Sequence, residues 1–156
     1  MELVIAVDDP RAADVRALLE THLAFARSVT PPEGVFALDI DGLLDPFVTF
    51  VSARRDGVVV GVGALKELDA SHGELKSMHT VAAARRQGVG QALARHLLSL
   101  AAERGYARVS LETGTEDAFV PAREFYASLG FVACDRFGPY VNSPTSACMA
   151  IQLTAS

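Results

Sequence analysis

Apolar positions recur along this chain with two periods that take turns. Residues 3–7 form a short apolar run that reads as a strand. Val15, Leu18, Leu19, Leu23 and Ala26 then fall three or four positions apart, the spacing of one helix face. Asp8 or Asp9 can cap that helix, with Pro10 in its first turn, and Pro31-Pro32-Glu33-Gly34 breaks it. The mixed stretch that follows, up to Pro46, has room for a second short helix. Residues 47–54 and 58–65 read as antiparallel strands joined by Arg55-Asp56-Gly57. Residues 74–81 read as the next strand, behind the turn Ala70-Ser71-His72-Gly73. Alternation along it predicts Glu74, Lys76 and Met78 on one side and Leu75, Ser77 and His79 on the other.

The helical period then returns. Val89, Ala92, Leu93, Leu97, Leu100 and Ala101 predict a helix from about residue 88 to 104, stopped by Gly105. A strand over 107–112 is followed by a helix over 117–129, with Ala122, Phe125, Tyr126 and Leu129 on one side and Gly130 at its end. Residues 131–134 and 147–153 are the last strands. The order is β-α-(α)-β-β-β-α-β-α-β-β. Hairpins come first and a β-α-β crossover follows, so the expected α/β fold has a mixed sheet.

Composition narrows the classes. With 156 residues, half of them hydrophobic, the chain fits a single domain spanning 1–156. No apolar run approaches the ~20 residues of a membrane-spanning helix, and no signal peptide is visible. The expectation is a cytoplasmic protein with no membrane partner. A net charge of −5 argues against nonspecific binding to nucleic acid. Cys134 and Cys148 are far apart, lack metal-ligand spacing and read as free thiols. His72 and His79 share no ligand cluster, so no metal is expected. His22 and His96 read as surface or boundary residues of their helices, and His79 as a packing residue.

The stretch with chemical content is Met78-His79-Thr80-Val81-Ala82-Ala83-Ala84-Arg85-Arg86-Gln87-Gly88-Val89-Gly90. A strand ends, a short loop follows, and a helix opens on two glycines. The first N–H groups of a helix lack partners and carry the positive end of its dipole, and glycines let an anion approach them. The pattern suits a pyrophosphate. It is no dinucleotide fingerprint, because Leu93 occupies the third glycine position, and no P-loop, because no Gly-Lys-Ser/Thr follows.

Arg85-Arg86-Gln87-Gly88-Val89-Gly90 resembles the Arg/Gln-x-x-Gly-x-Gly/Ala signature of the GNAT acetyltransferase superfamily. Ala122-Arg123-Glu124-Phe125-Tyr126-Ala127-Ser128-Leu129-Gly130-Phe131 resembles that family's late helix and following strand. The resemblance implies a mostly antiparallel sheet flanked by helices, with two central strands splayed at the cofactor site. It implies acetyl-CoA as cosubstrate. The pyrophosphate would lie on the backbone of Arg86 to Gln91, namely Arg86, Gln87, Gly88, Val89, Gly90 and Gln91, with Arg85 beside it. The pantetheine arm would pair with the main chain at Met78 and Thr80. Many members carry an Asn where this chain has Phe119, so the arm's contacts there must differ. Homodimers are common in the family, through the last strands or the late helix.

The same resemblance makes Tyr126 the acid for the departing thiolate and a contact of the cofactor; a phenol stays protonated at neutral pH. The rival role is a core tyrosine filling a gap between helix and sheet. Glu74 lies eleven positions before Arg85, where several amine and lysine acetyltransferases place their base. The rival role is a strand-edge carboxylate paired with Lys76, and Glu112 is the next candidate base. Tyr140 belongs to a loop that often walls the acceptor site in the family, although a lone loop tyrosine is more often surface packing. The implied reaction is direct attack by a primary amine of a small molecule. A protein or peptide amine is one alternative acceptor, and a catalytically silent acyl-CoA-binding regulatory module is another reading.

Overall fold

The computed structural model describes residues 2–29 and 40–153. Its elements are β1 (Leu3–Val7), α1 (Ala13–Val29), α2 (Ile40–Leu43), β2 (Val48–Arg55), β3 (Val58–Asp69), β4 (His72–Thr80), α3 (Val89–Glu103), β5 (Arg108–Gly114), α4 (Val120–Ser128), β6 (Val132–Cys134) and β7 (Ser146–Gln152). Short 3-10 turns lie at Ala82–Ala84, Asp117–Phe119 and Gly138–Tyr140. The expected breaker at residues 31–34 lies outside the described residues, as does the side chain of Ala26.

The strands form one seven-stranded sheet in the order β1-β2-β3-β4-β5-β7-β6. Every neighbouring pair is antiparallel except β4–β5. A parallel pair needs a crossover, and α3 supplies it. The hairpin between β2 and β3 turns through Asp56 and Gly57, both at positive φ, as a two-residue turn requires. The expected mixed, mostly antiparallel sheet is the one found.

Helices cover both faces. On one, Val89, Leu93, Leu97 and Ala101 of α3 pack with Val51, Leu65, Leu75, Val109 and Leu111 of the sheet. Gly63 makes this approach close: a Cβ there would come within 2.6 Å of Met78 Sδ and 3.1 Å of a Leu97 methyl. On the other face, Val15, Leu18 and Leu19 of α1 and Leu43 of α2 pack on Phe50, Val59, Val62 and Ala64.

Two local expectations change. The first helix begins at Ala13 rather than after Asp9, because the Asp9 carboxylate accepts from the backbone and guanidinium of Arg11 and closes a turn ahead of the helix. The alternation along β4 breaks at a bulge. Ala64 pairs with Lys76 and Val62 with His79, so Ser77 and Met78 together oppose Gly63. Ser77 has a φ of 58°, a left-handed conformation uncommon outside glycine. Met78 therefore packs on the α3 face with Leu75, while His79 joins Glu74 and Lys76 on the α1 face.

Candidate active site

The β4–β5 ladder runs from His72↔Arg108 to Leu75↔Leu111 and stops. Beyond it β4 continues to Thr80 and β5 to Gly114 without pairing to each other, which is the splay. A cavity of about 580 Å³ occupies the gap. Thr21, His22 and Phe25 of α1 close one side, and Phe119, Ala122 and Tyr126 the other. Across its mouth Phe25 meets Phe119 edge to face, with ring centroids 5.7 Å apart.

Glu74 and Glu112 both line this cleft, and their environments differ. Glu74 is only 3% exposed. Its Oε2 accepts from the Tyr140 hydroxyl at 2.6 Å and from Lys76 Nζ at 3.1 Å, and Lys76 Nζ also lies 2.7 Å from the Tyr140 oxygen. Burial, the Glu74 charge and the hydrogen bond to it push the Tyr140 phenol well above its ordinary value. Glu112 sits two positions beyond Ser110, the partner of Glu74 in the ladder. Burial raises its pKa to about 7, helped by the charges of Glu74 and Glu116 and opposed by the Ser146 hydroxyl and Lys76. Such a carboxyl changes protonation near neutral pH.

His79 faces His22 of α1 with ring centroids 5.0 Å apart. Burial, with the neighbouring His22 and Arg85, lowers the His79 pKa to about 4, so the imidazole is neutral. Burial lowers that of His22 as well. Tyr126 lies on α4 and is buried, which raises its pKa and keeps the phenol protonated. Its ring packs edge to face on Phe125 and Phe131.

At the far end of β4, Gly88 caps α3 with a φ of 80°, and no side chain caps the helix. A Cβ on Gly88 would meet nothing within 4 Å, so the backbone there is open to an approaching group. Arg85 and Arg86 are exposed beside it, and Gln87 is held by the guanidinium of Arg55 at 2.6 Å. An anion fits this end: the N–H groups are uncapped, the glycine leaves room and the charges are positive. Main chain at Met78 and Thr80 lies between this end and the splay, with no β5 partner.

These features match known proteins. Residues 15–131 match the acetyltransferase (GNAT) family. The chain is 42% identical to the uncharacterized N-acetyltransferase YsnE of Bacillus subtilis (strain 168) over 149 residues, covering 96% of this chain and 99% of the relative. This chain belongs to the GNAT acetyltransferase family. It is also 40% identical to the uncharacterized N-acetyltransferase YedL of Escherichia coli (strain K12), over 96% of this chain and 94% of that one. A GNAT acetyltransferase from Elizabethkingia anophelis, solved with acetyl-CoA bound, superposes with a TM-score of 0.72 at 18% identity, covering 96% of this chain and 97% of its own. As a GNAT member this protein is an acyltransferase, and CoA or acetyl-CoA is what solved GNAT neighbours hold.

The expected site residues fall into two groups. Glu74, Met78, Tyr126 and also Arg85 line the cavity at the splay, whereas Thr80 ends β4 and Arg86 to Gln91 form the turn and helix start beyond it. Two residues carry more of the site than their sequence reading allowed. His22 is half-buried in the cleft rather than at a surface boundary; it follows Leu18 by four and Leu19 by three, so it shares their helix face. Tyr140 is 1% exposed and bonded to Glu74, because the Gly138–Tyr140 turn folds it over β4. Among the described residues no group of three or more His, Cys, Asp or Glu is placed to hold a metal, and no helix is long and apolar enough to cross a membrane.

Proposed function

We propose that this GNAT protein transfers the acetyl group of acetyl-CoA to a primary amine of a small molecule by direct attack. The observation that carries the reading is the joining of two features by one strand: the open, uncapped start of α3, and the splay holding the buried Glu74 and the half-buried Glu112. The bound cosubstrate supplies an activated acetyl thioester. Backbone N–H groups of Arg86 to Gln91 hold its pyrophosphate, with the charges of Arg85 and Arg86, and the main chain at Met78 and Thr80 orients its arm.

The residues divide the proton work. Glu112 accepts the amine proton, since a carboxyl titrating near 7 is matched to that task at neutral pH. Glu74, the leading candidate from the sequence, has its Oε2 engaged by Tyr140 and Lys76. It acts as the second member of a carboxylate pair, attracting the ammonium form of the acceptor into the cleft. Tyr126 donates to the departing thiolate, which its protonated phenol allows. Phe25, Phe119 and the neutral His22–His79 pair exclude water from the acceptor side. Cys134 and Cys148 take no part; burial raises the Cys148 thiol to about 11 and leaves it a poor nucleophile.

With Phe25 and Phe119 meeting across its mouth, the cleft favours a small acceptor over a protein tail. The reading carries with it a cytoplasmic protein that works as a homodimer. The test is release of free CoA from acetyl-CoA with a panel of primary amines, alongside calorimetry of CoA on the wild type and Gly88→Val. Amine-dependent release, with CoA binding at least tenfold weaker in a folded Gly88→Val protein, is expected. Acetylation of a peptide amine alone, or CoA binding with no release for any amine, would favour the two alternatives.

A further inference from the structure

We infer that a second chamber beneath the Gly138–Tyr140 turn is a carboxylate subsite of the acceptor, so that the amine acetylated by this protein carries a carboxylate. The inference rests on the acetyl-transfer reading above and adds the chemical class of the acceptor.

The chamber measures about 530 Å³. Glu74, Lys76 and Tyr140 line both it and the cleft, so these three side chains are a wall common to the two spaces. Lys66, His72 and Arg108 line its other side. Lys66 stands directly opposite Glu74 in the β3–β4 ladder, and Arg108 pairs with His72 in the β4–β5 ladder. Neither Lys66 nor Arg108 forms an ion pair with a carboxylate among the described residues. Among the described residues Glu74 is the one carboxylate on the chamber wall, and Lys76 already matches it. His72 adds no negative charge; its Nε2 lies 2.6 Å from Ser110 Oγ, and burial with the Arg108 charge keeps the ring neutral.

The chamber therefore presents two unmatched cations in a chain whose net charge is −5. A concave site lined by one sign of charge concentrates ligands of the other sign. An ammonium and a guanidinium together suit an oxyanion, and the guanidinium can hold both oxygens of a carboxylate. Side chains directly opposite on neighbouring strands have Cβ atoms about 5 Å apart. An α-amino acid can thus set its amine at Glu74, facing the cleft, and its carboxylate on Lys66 and Arg108. Leu68 and Phe137 offer apolar contact to the rest of the molecule.

Two measurements decide it. CoA release is followed with leucine, phenylalanine and lysine, each against its own α-amide, for the wild type, Arg108→Met, Lys66→Met and Arg108→Lys. Hydrogen bonds to a charged group are worth about 1.5–3 kcal/mol, so kcat/KM should favour the free acid by about 10- to 100-fold. That ratio should fall towards one in either Met variant and be kept in part by Arg108→Lys. Calorimetry with N-acetylleucine and N-acetylleucinamide reads the same subsite without turnover: the acid should bind wild type at least tenfold more tightly, and the two Met variants should lose the difference. Arg108 is exposed, which makes its variants safe for folding. Equal use of acid and amide, or a preference that survives both Met variants, overturns the subsite. If no amine is acetylated at all, the transfer reading fails, and the calorimetry alone decides the subsite.

Discussion

On the α3 face of β4 and β5, Leu75, Met78, Val109 and Leu111 pack into a dry core. On the α1 face of the same two strands stand His72, Glu74, Lys76, Ser110 and Glu112, several of them as deeply buried. The first arrangement stabilises the fold by about 25 cal/mol for each Å² of apolar surface removed from water. The second costs free energy unless each polar group is matched. Most are: His72 with Ser110, Glu74 with Tyr140 and Lys76. The contrast teaches that the dry face fixes where the strands lie, and that the wet face, too costly to serve stability, is where chemistry is held. Glu112, left partly desolvated, marks the place where that cost was not cancelled.

Four changes probe the contrast. Glu112→Gln, on the wet face, should lower kcat/KM by about 10²–10⁴-fold, the usual worth of a general base. The wild-type rate should rise with pH and level off above about 7, because only the ionised carboxyl accepts a proton. The variant should lack that limb in a pH–rate profile. Its stability should differ too. A carboxyl whose pKa rises on folding from 4.5 to about 7 binds more protons in the folded state between those values. Wild type should therefore lose stability across that range as pH rises, and Glu112→Gln should not.

Leu97→Ala, on the dry face, should cost about 2–5 kcal/mol in denaturant unfolding, since this fully buried side chain fills the space over Gly63. Activity per folded molecule should change far less than in Glu112→Gln. Tyr126→Phe should lower kcat by about tenfold, below the usual range for a general acid because thiolate leaves readily, with calorimetric acetyl-CoA affinity within a factor of about two. Ser77→Gly is the smallest. It relieves the Cβ cost of a left-handed φ, about 1–2 kcal/mol, and takes away a buried hydroxyl without a hydrogen-bond partner, so the midpoint of urea unfolding should rise by the equivalent of about 1 kcal/mol.

The dry face was legible from the chain. Val89, Leu93 and Leu97 recur at helical spacing, and all three are core residues. The hairpin at Asp56-Gly57 and the glycine start of α3 follow from local backbone chemistry, which sequence carries directly. The wet face was legible only in part. Glu74 and Tyr126 came from resemblance, and both line the cleft. The hold of Tyr140 on Glu74 spans 66 positions, and no local pattern encodes a contact at that range. The Lys66–Glu74 register depends on how two strands pair, and the raised pKa of Glu112 depends on burial by elements distant in the chain. The orientation of His79 was missed because alternation assumes an unbroken strand, and Ser77 breaks it.

That one-residue interruption divides β4 into two words read in different phase. Before it, even-numbered residues address the cleft; after it, the odd-numbered His79 does. Each word can then change its letters without altering what the other presents, so acceptor chemistry at Glu74 and Lys76 and the lining near the thioester can evolve separately. The frame itself cannot drift. A slip that paired Ser77 alone with Gly63 would hand the cleft the thioether of Met78 and drive the imidazole of His79 in among the leucines of α3.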